Sequence, residues 1–246
     1  MKKYLALAAV LLFVRCSSSV DTATMTPQEY YDYVMELYND EDYLEAIKEF
    51  QNILLQYPGS AINDDSRYYL GMSYFKHEEY ILAAYEFSKL IRDMPASPYL
   101  EDSQYGLAES YYQLSPVYSL DQKYTEKAID DFQEFIDFFP ASAKVEEAEK
   151  KIKELNTKLA EKEFNSARIY EKMEYTNAAL QYYEYVVNDY HDTEYAPTAL
   201  YRRIKLLIEK ERTGEALTDI ETFLMRYPQD ENAEEITALQ SELREK

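Results

Sequence analysis

The stretch Leu70-Gly71-Met72-Ser73-Tyr74-Phe75-Lys76-His77-Glu78-Glu79-Tyr80-Ile81-Leu82-Ala83-Ala84-Tyr85-Glu86-Phe87 sets two small residues, Gly71 and Ala83, on either side of a polar turn. Small residues let two helices cross closely, Tyr74 and Phe87 fill the space around the crossing, and Pro95 further on stops the second helix. The phrase around that proline recurs as Tyr57-Pro58-Gly59-Ser60, Met94-Pro95-Ala96-Ser97, Phe139-Pro140-Ala141-Ser142, Tyr190-His191-Asp192-Thr193 and Tyr227-Pro228-Gln229-Asp230. Twelve residues before the Pro, or before His191 in its place, stand Ala46, Ala83, Ala128, Ala179 and Ala216; eight before it stand Phe50, Phe87, Phe132, Tyr183 and Ile220. A small residue followed four positions on by a large one lies on one helix face, so the pattern predicts five helix-turn-helix units.

Composition agrees. Only 4 Gly in 246 residues leaves little material for hairpins or phosphate loops, and Ala, Leu, Glu, Lys and Gln fill most windows. Leu70, Gly71, Tyr74, Tyr80, Ala83, Phe87 and Pro95 fall at the spacings of the tetratricopeptide repeat, which the chain resembles. The expected fold is therefore all-α, a tetratricopeptide-repeat solenoid of about five units with a long connecting helix.

Working outward, Thr26-Pro27-Gln28-Glu29 reads as a capping box with proline at the first helical position, and Ser97-Pro98 repeats the device. The third unit carries extra residues, Leu114 to Lys123, between its helices; insertions of this kind commonly serve binding. From Lys144 to Glu174 no Gly or Pro intervenes. Val145, Ala148, Ile152, Leu155 and Leu159 form an apolar stripe, and Glu146/Lys150, Glu147/Lys151, Glu149/Lys153 and Glu154/Lys158 are acid-base pairs four apart. One long helix, or two nearly continuous ones, joining three N-terminal repeats to two C-terminal ones is expected; a coiled-coil seam is the alternative.

At the start, Lys2 and Lys3 precede an apolar run from Tyr4 to Val14, shorter than the roughly 20 residues that span a bilayer and suited to a secretory signal. Cys16, the only cysteine, follows it and opens a Ser/Thr-rich stretch, which resembles a bacterial lipobox with Arg15 where that motif favours a small residue. The division is then 1–15 signal peptide, 16–26 lipidated flexible tether, 27–143 three repeats, and 144–246 connecting helix with two repeats. An ordinary cleaved signal with an unmodified cysteine is the plainer alternative.

The formal charge is -21, and removal of residues 1–15 leaves 23 bases against 47 acids, or -24. Nucleic acid and anionic lipid are poor partners for such a surface. His77 and His191 stand on different repeats without metal-type neighbours, and Cys16 is assigned to the N-terminus, so neither a metal site nor a catalytic residue nor a cofactor is expected. Adjacent acids such as Asp64-Asp65 and Asp130-Asp131 do not face each other on a helix and read as solvated surface. Recognition of other proteins remains.

The segments Ser115 to Gln122, Ala128 to Ile136 and Lys158 to Phe164, together with the lipobox and the repeats, resemble the BamD family, lipoproteins of the outer-membrane β-barrel assembly machinery. The resemblance implies a non-enzymatic scaffold held at the periplasmic face of the outer membrane by an acylated (palmitate-type) Cys16. Its C-terminal repeats would dock on the periplasmic domains of the BamA subunit, and its N-terminal repeats would receive unfolded outer-membrane proteins. It also puts the groove-facing slots of the first helices at Tyr31, Met35 and Tyr38 in unit one and Tyr68, Met72 and Phe75 in unit two. Tyrosine and methionine suit clients of varied sequence; the alternative is that these side chains seal contacts between neighbouring helices. Other functions open to the same repeats are an envelope lipoprotein that captures glycans or scaffolds cell-division and peptidoglycan proteins.

Overall fold

The computed structural model describes residues 22–245; the expected signal peptide, Cys16 and most of the expected tether lie outside them. After a short 3-10 turn (Thr22–Thr24) every regular element of the described residues is an α-helix. Helices α1 (Pro27–Asn39) and α2 (Tyr43–Gln56), α3 (Asn63–Lys76) and α4 (Tyr80–Asp93), and α5 (Leu100–Leu114) and α6 (Lys123–Phe138) are the first three pairs. Then come α7 (Val145–Lys172) with α8 (Thr176–Asp189), α9 (Tyr195–Glu209) with α10 (Thr213–Arg226), and a closing helix α11 (Ala233–Arg244) that the repeat pattern did not announce. Each helix packs on the next, and α1 meets α3, α3 meets α5 and α7 meets α9, the connectivity of a tetratricopeptide solenoid.

The small-large pattern is the core. Ala46, Ala83, Ala128, Ala179, Ala216 and Phe50, Phe87, Phe132, Tyr183, Ile220 are all fully buried. Phe87 is held between two glycines: a Cβ on Gly71 of α3 or on Gly106 of α5 would lie 2.8 Å from its ring. The ring thus requires two helices to approach at once, and Gly106 is as much a part of that crossing as Gly71.

The five closing phrases fold alike. In each, the backbone N–H of the fourth residue donates to the carbonyl of the first, Ser60 to Tyr57 at 3.2 Å, Ser97 to Met94 at 3.0 Å, Ser142 to Phe139 at 2.9 Å, and Thr193 to Tyr190 and Asp230 to Tyr227 at 3.1 Å. The capping box at α1 forms in both directions, with Thr26 N–H donating to Glu29 Oε2 at 2.8 Å and Glu29 N–H donating to Thr26 Oγ1 at 3.3 Å. Ser97-Pro98 differs from expectation. Helix α5 begins only at Leu100, because Ser97 Oγ accepts the Tyr99 N–H at 3.1 Å and donates to Asp64, which spends the hydroxyl on the turn before the helix.

Helix α7 is a single helix of 28 residues. Its first half, with Ala148 and Leu155, packs with Phe132 and Phe135 of α6; its second half, with Ala160, Phe164 and Ala167, packs with α8 and α9. Of the four acid-base pairs read along it, only Glu147–Lys151 closes, at 3.1 Å. The charges of the last pair reach across to the preceding unit instead: Tyr112 donates to Glu154 at 2.9 Å and Lys158 donates to Ser115 Oγ at 2.8 Å. A partner fixed on a neighbouring helix wins over a mobile one on the same helix.

Candidate protein-interaction groove

The first helices of successive units stand side by side, and their inner faces repeat in register. Tyr31, Met35 and Tyr38 of α1 recur after thirty-seven residues as Tyr68, Met72 and Phe75 of α3, and again as Tyr105, Glu109 and Tyr112 of α5. All six candidates are partly buried against the N-terminal core. Their surroundings differ.

Tyr31, Met35 and Tyr38 belong mostly to the junction of α1 with its neighbours. The Tyr31 ring lies 6.2 Å from Phe50 and 6.5 Å from Tyr69, and Tyr38 sits 5.2 Å from Tyr69 and 5.7 Å from Tyr43. Burial pushes both hydroxyls above the ordinary tyrosine value, with Asp65 adding to the effect at Tyr31, and takes Tyr38 to about 12. Tyrosines with this packing hold helices together.

Tyr68, Met72 and Phe75 instead open on a cavity of about 230 Å³ between α3 and α5, with Phe87 as its floor and Tyr105 opposite. Tyr68 is fixed at one side by stacking on Tyr99, centroids 4.5 Å apart, and Phe75 at the other by an edge contact with Tyr80 at 5.3 Å. Met72 is left between them as the flexible wall. Asp102, Glu109 and Lys144 give the cavity a polar rim. Sequence reasoning missed Tyr105, Asp102, Glu109 and Lys144, although the thirty-seven-residue register pointed to Tyr105 and Glu109.

Beyond this cavity the groove is closed by charge. Lys151 of α7 pairs with Glu109, both side chains largely buried. Burial alone would lower the Lys151 pKa, but Glu109 and Glu147 hold it above the ordinary lysine value. The same ammonium lies 4.9 Å from the Tyr112 ring, and Lys144, paired with Asp102, lies 4.9 Å from the Tyr105 ring. Cations over aromatic faces tie α7 to α5. The aromatic and methionine lining therefore runs over α1, α3 and α5 and ends at an ionic seam.

The histidines take no part in this. His77 Nδ1 sits 2.9 Å from Glu79 Oε1 at an exposed turn, and His191 borders an open hollow with Arg226 and Tyr227. Among the described residues no helix is long and apolar enough to cross a membrane.

Stacked helix pairs, closing turns that recur in each unit and a groove lined by adaptable side chains define a tetratricopeptide-repeat scaffold. The family described as YfiO, outer membrane lipoprotein, matches residues 23–213, and the chain belongs to that family. No curated protein matches it. Among solved structures it is similar to a tetratricopeptide-repeat protein from Bacteroides fragilis, at 15% identity over 90% of this chain and 99% of that one, with a TM-score of 0.44. A tetratricopeptide-repeat protein from Thermus thermophilus is similar at 16% identity over 89% and 98% of the two chains, with a TM-score of 0.38.

Proposed function

We propose that this protein is a non-enzymatic lipoprotein scaffold that receives unfolded outer-membrane β-barrel proteins and delivers them to a BamA-like subunit for folding and insertion. Acylation of Cys16 holds it at the periplasmic face of the outer membrane, residues 16–26 act as the tether, repeats in 27–143 receive the client, and repeats within 144–246 dock on the periplasmic domains of the partner.

The observation that carries the client role is the cavity of Tyr68, Met72, Phe75 and Tyr105. An unfolded barrel strand presents alternating apolar and aromatic side chains on a backbone whose sequence varies from client to client. A side-chain-sized hollow with a methionine wall accepts such residues without demanding one shape. Of the six candidates, Tyr68, Met72 and Phe75 would touch the client, and Tyr31, Met35 and Tyr38 would support them from α1.

The test is binding of a fluorescent peptide carrying the C-terminal strand of an outer-membrane barrel, ending in an aromatic residue, to the full mature chain. Met72→Glu puts a charge in the wall without removing a helix-helix contact between rings. It is expected to weaken binding roughly tenfold, about 1.4 kcal/mol, at unchanged helicity. Equal affinity for the two proteins would overturn the reading. Tyr31→Glu is the less informative variant, since its ring is packed between Phe50 and Tyr69 and the chain would lose stability with it.

A further inference from the structure

The insertion in the third unit is not a loose loop. Lys158 Nζ donates to Ser115 Oγ at 2.8 Å, Ser115 and Thr125 hydroxyls meet at 2.6 Å, and Thr125 Oγ1 donates to Gln122 Oε1 at 2.7 Å. The buried Gln122 amide then donates to the carbonyls of Val117 and Leu120 at 2.9 and 3.0 Å, and Lys162 Nζ reaches Leu120 O at 2.7 Å. This relay fixes the insertion against α7. Between them lies a pocket of about 350 Å³ bounded by Tyr118 on the loop and by Lys162, Ser166, Arg168, Ile169 and Lys172 on α7.

Its charge is the reverse of the molecule's. Three cations line it and no carboxylate does, in a chain of net charge -21. Neither Arg168 nor Lys172 has an ion pair among the described residues, and Lys162 spends its ammonium on a neutral carbonyl. Around the pocket stand exposed apolar side chains, Val117 at 64%, Leu120 at 57%, Ile169 at 58% and Met173 at 54% of their full surface. Arg168 lies 6.0 Å from the Phe164 ring, so what these cations lack is a carboxylate; such cations beside exposed aliphatic groups on a rigid frame are the composition of a protein-protein contact, with charge to select the partner.

We propose that the insertion and α7 together form a second docking site, separate from the groove, for a segment of a partner protein that carries at least two carboxylates flanked by aliphatic or aromatic residues. The carboxylates would meet Arg168 and Lys172, and the apolar residues would cover Tyr118, Ile169 and Leu120. A protein segment fits better than an anionic bilayer, because a whole surface of net charge -21 is repelled by a charged membrane, whereas a short acidic segment feels chiefly the cations within one screening length of about 8 Å.

The probe is a fluorescein-labelled peptide of alternating Glu and Leu, titrated by anisotropy against the full mature chain at two salt concentrations. Wild type is expected to bind it, more weakly at high salt. Arg168→Glu with Lys172→Glu should lose at least tenfold in affinity, and Lys172→Glu alone, at an exposed position without partners, should lose part of it if the double variant fails to fold. Reversal of two exposed cations on the same helix outside the pocket, Lys150→Glu with Lys153→Glu, should leave binding unchanged. No binding by wild type, equal binding by the pocket variants, or equal loss in the Lys150/Lys153 control would overturn the proposal. So would a pocket-dependent affinity for phosphatidylglycerol vesicles in place of the peptide, which would make the site a headgroup site.

Discussion

One slot in the repeat, the residue before the large buried one on each second helix, holds an acid in four of the five units: Glu49, Glu86, Asp131 and Asp219. Three of them have a partner on the first helix of the same unit. Tyr30 donates to Glu49, Arg67 pairs with Glu86 at 2.7 Å, and Arg203 pairs with Asp219. In the third unit the position matching Tyr30 and Arg67 is Gln104, and the Lys127 ammonium beside Asp131 is given to Tyr111, whose hydroxyl it reaches at 3.0 Å. Burial, with Glu134 and Asp130 adding repulsion against the pull of Lys127, raises the Asp131 carboxyl to about 6. The folded state thus holds a proton that the unfolded chain has released. Ionised Asp131 is a penalty at neutral pH that disappears as pH falls from about 6 toward the ordinary aspartate value of about 4. Asp131→Asn is expected to stabilise the protein by about 1 kcal/mol at pH 7.5 and to be neutral at pH 4, measured by denaturant unfolding of both proteins at each pH. A gain at pH 4 as large as at pH 7.5 would show that charge is not the cause.

At the scale of the elements, the turn inside a repeat is built the same way four times, and each time on a residue poorly suited to it. Glu41, Glu78, Glu174 and Glu211 have φ of 62°, 63°, 62° and 58°, the left-handed region. After α3, the Glu79 N–H donates to Tyr74 O at 2.9 Å and the Glu78 N–H to Phe75 O at 3.1 Å, the double bond of a Schellman cap that normally takes glycine. A side chain there costs about 1–2 kcal/mol, offset in part by the smaller freedom of glutamate in the unfolded chain. Glu78→Gly, at an exposed site, is expected to stabilise by about 0.5–1 kcal/mol, read as a higher denaturation midpoint at constant slope; a lower midpoint would show that the Glu78 side chain serves a contact of its own. The third unit lacks this turn because the insertion occupies its place. The four-apart charges of α7 were legible in sequence, but their partners were not, since whether Glu154 meets Lys158 or Tyr112, and Lys158 meets Glu154 or Ser115, depends on how α7 lies along α5 and the insertion.

Over the whole molecule, α7 is the member shared by the two halves. Leu155 belongs to the core with α6, and Ala160, one turn further, to the core with α8 and α9. In an array stabilised by neighbour contacts, cooperativity passes only through such shared elements. Thr157→Pro, between those two residues, would break the helix at a cost of about 3 kcal/mol or more. The expected result is that a single unfolding transition of the wild type separates into two, followed by helical circular dichroism; one transition of unchanged midpoint would mean that coupling runs elsewhere.

Repetition is what made most of this readable from the amino acids. Each unit meets the same neighbours, so the same small residue, large residue and turn must reappear at fixed spacing, and the helix-turn-helix array with its long α7 followed from Ala46 to Ile220 taken together. The candidate groove was half legible for the same reason: its residues lie in register on Tyr31, Tyr68 and Tyr105. Which of them face a cavity and which bind helix to helix was settled only in three dimensions, because Tyr69 and Tyr99 fill the space beside Tyr31 and Tyr68 unequally and leave Met72 open. The basic pocket at Tyr118 and Arg168 was decided by tertiary structure alone. Its two walls are distant in sequence, and a cation's partner, or its lack of one, is a property of the space around it rather than of the residues beside it in the chain.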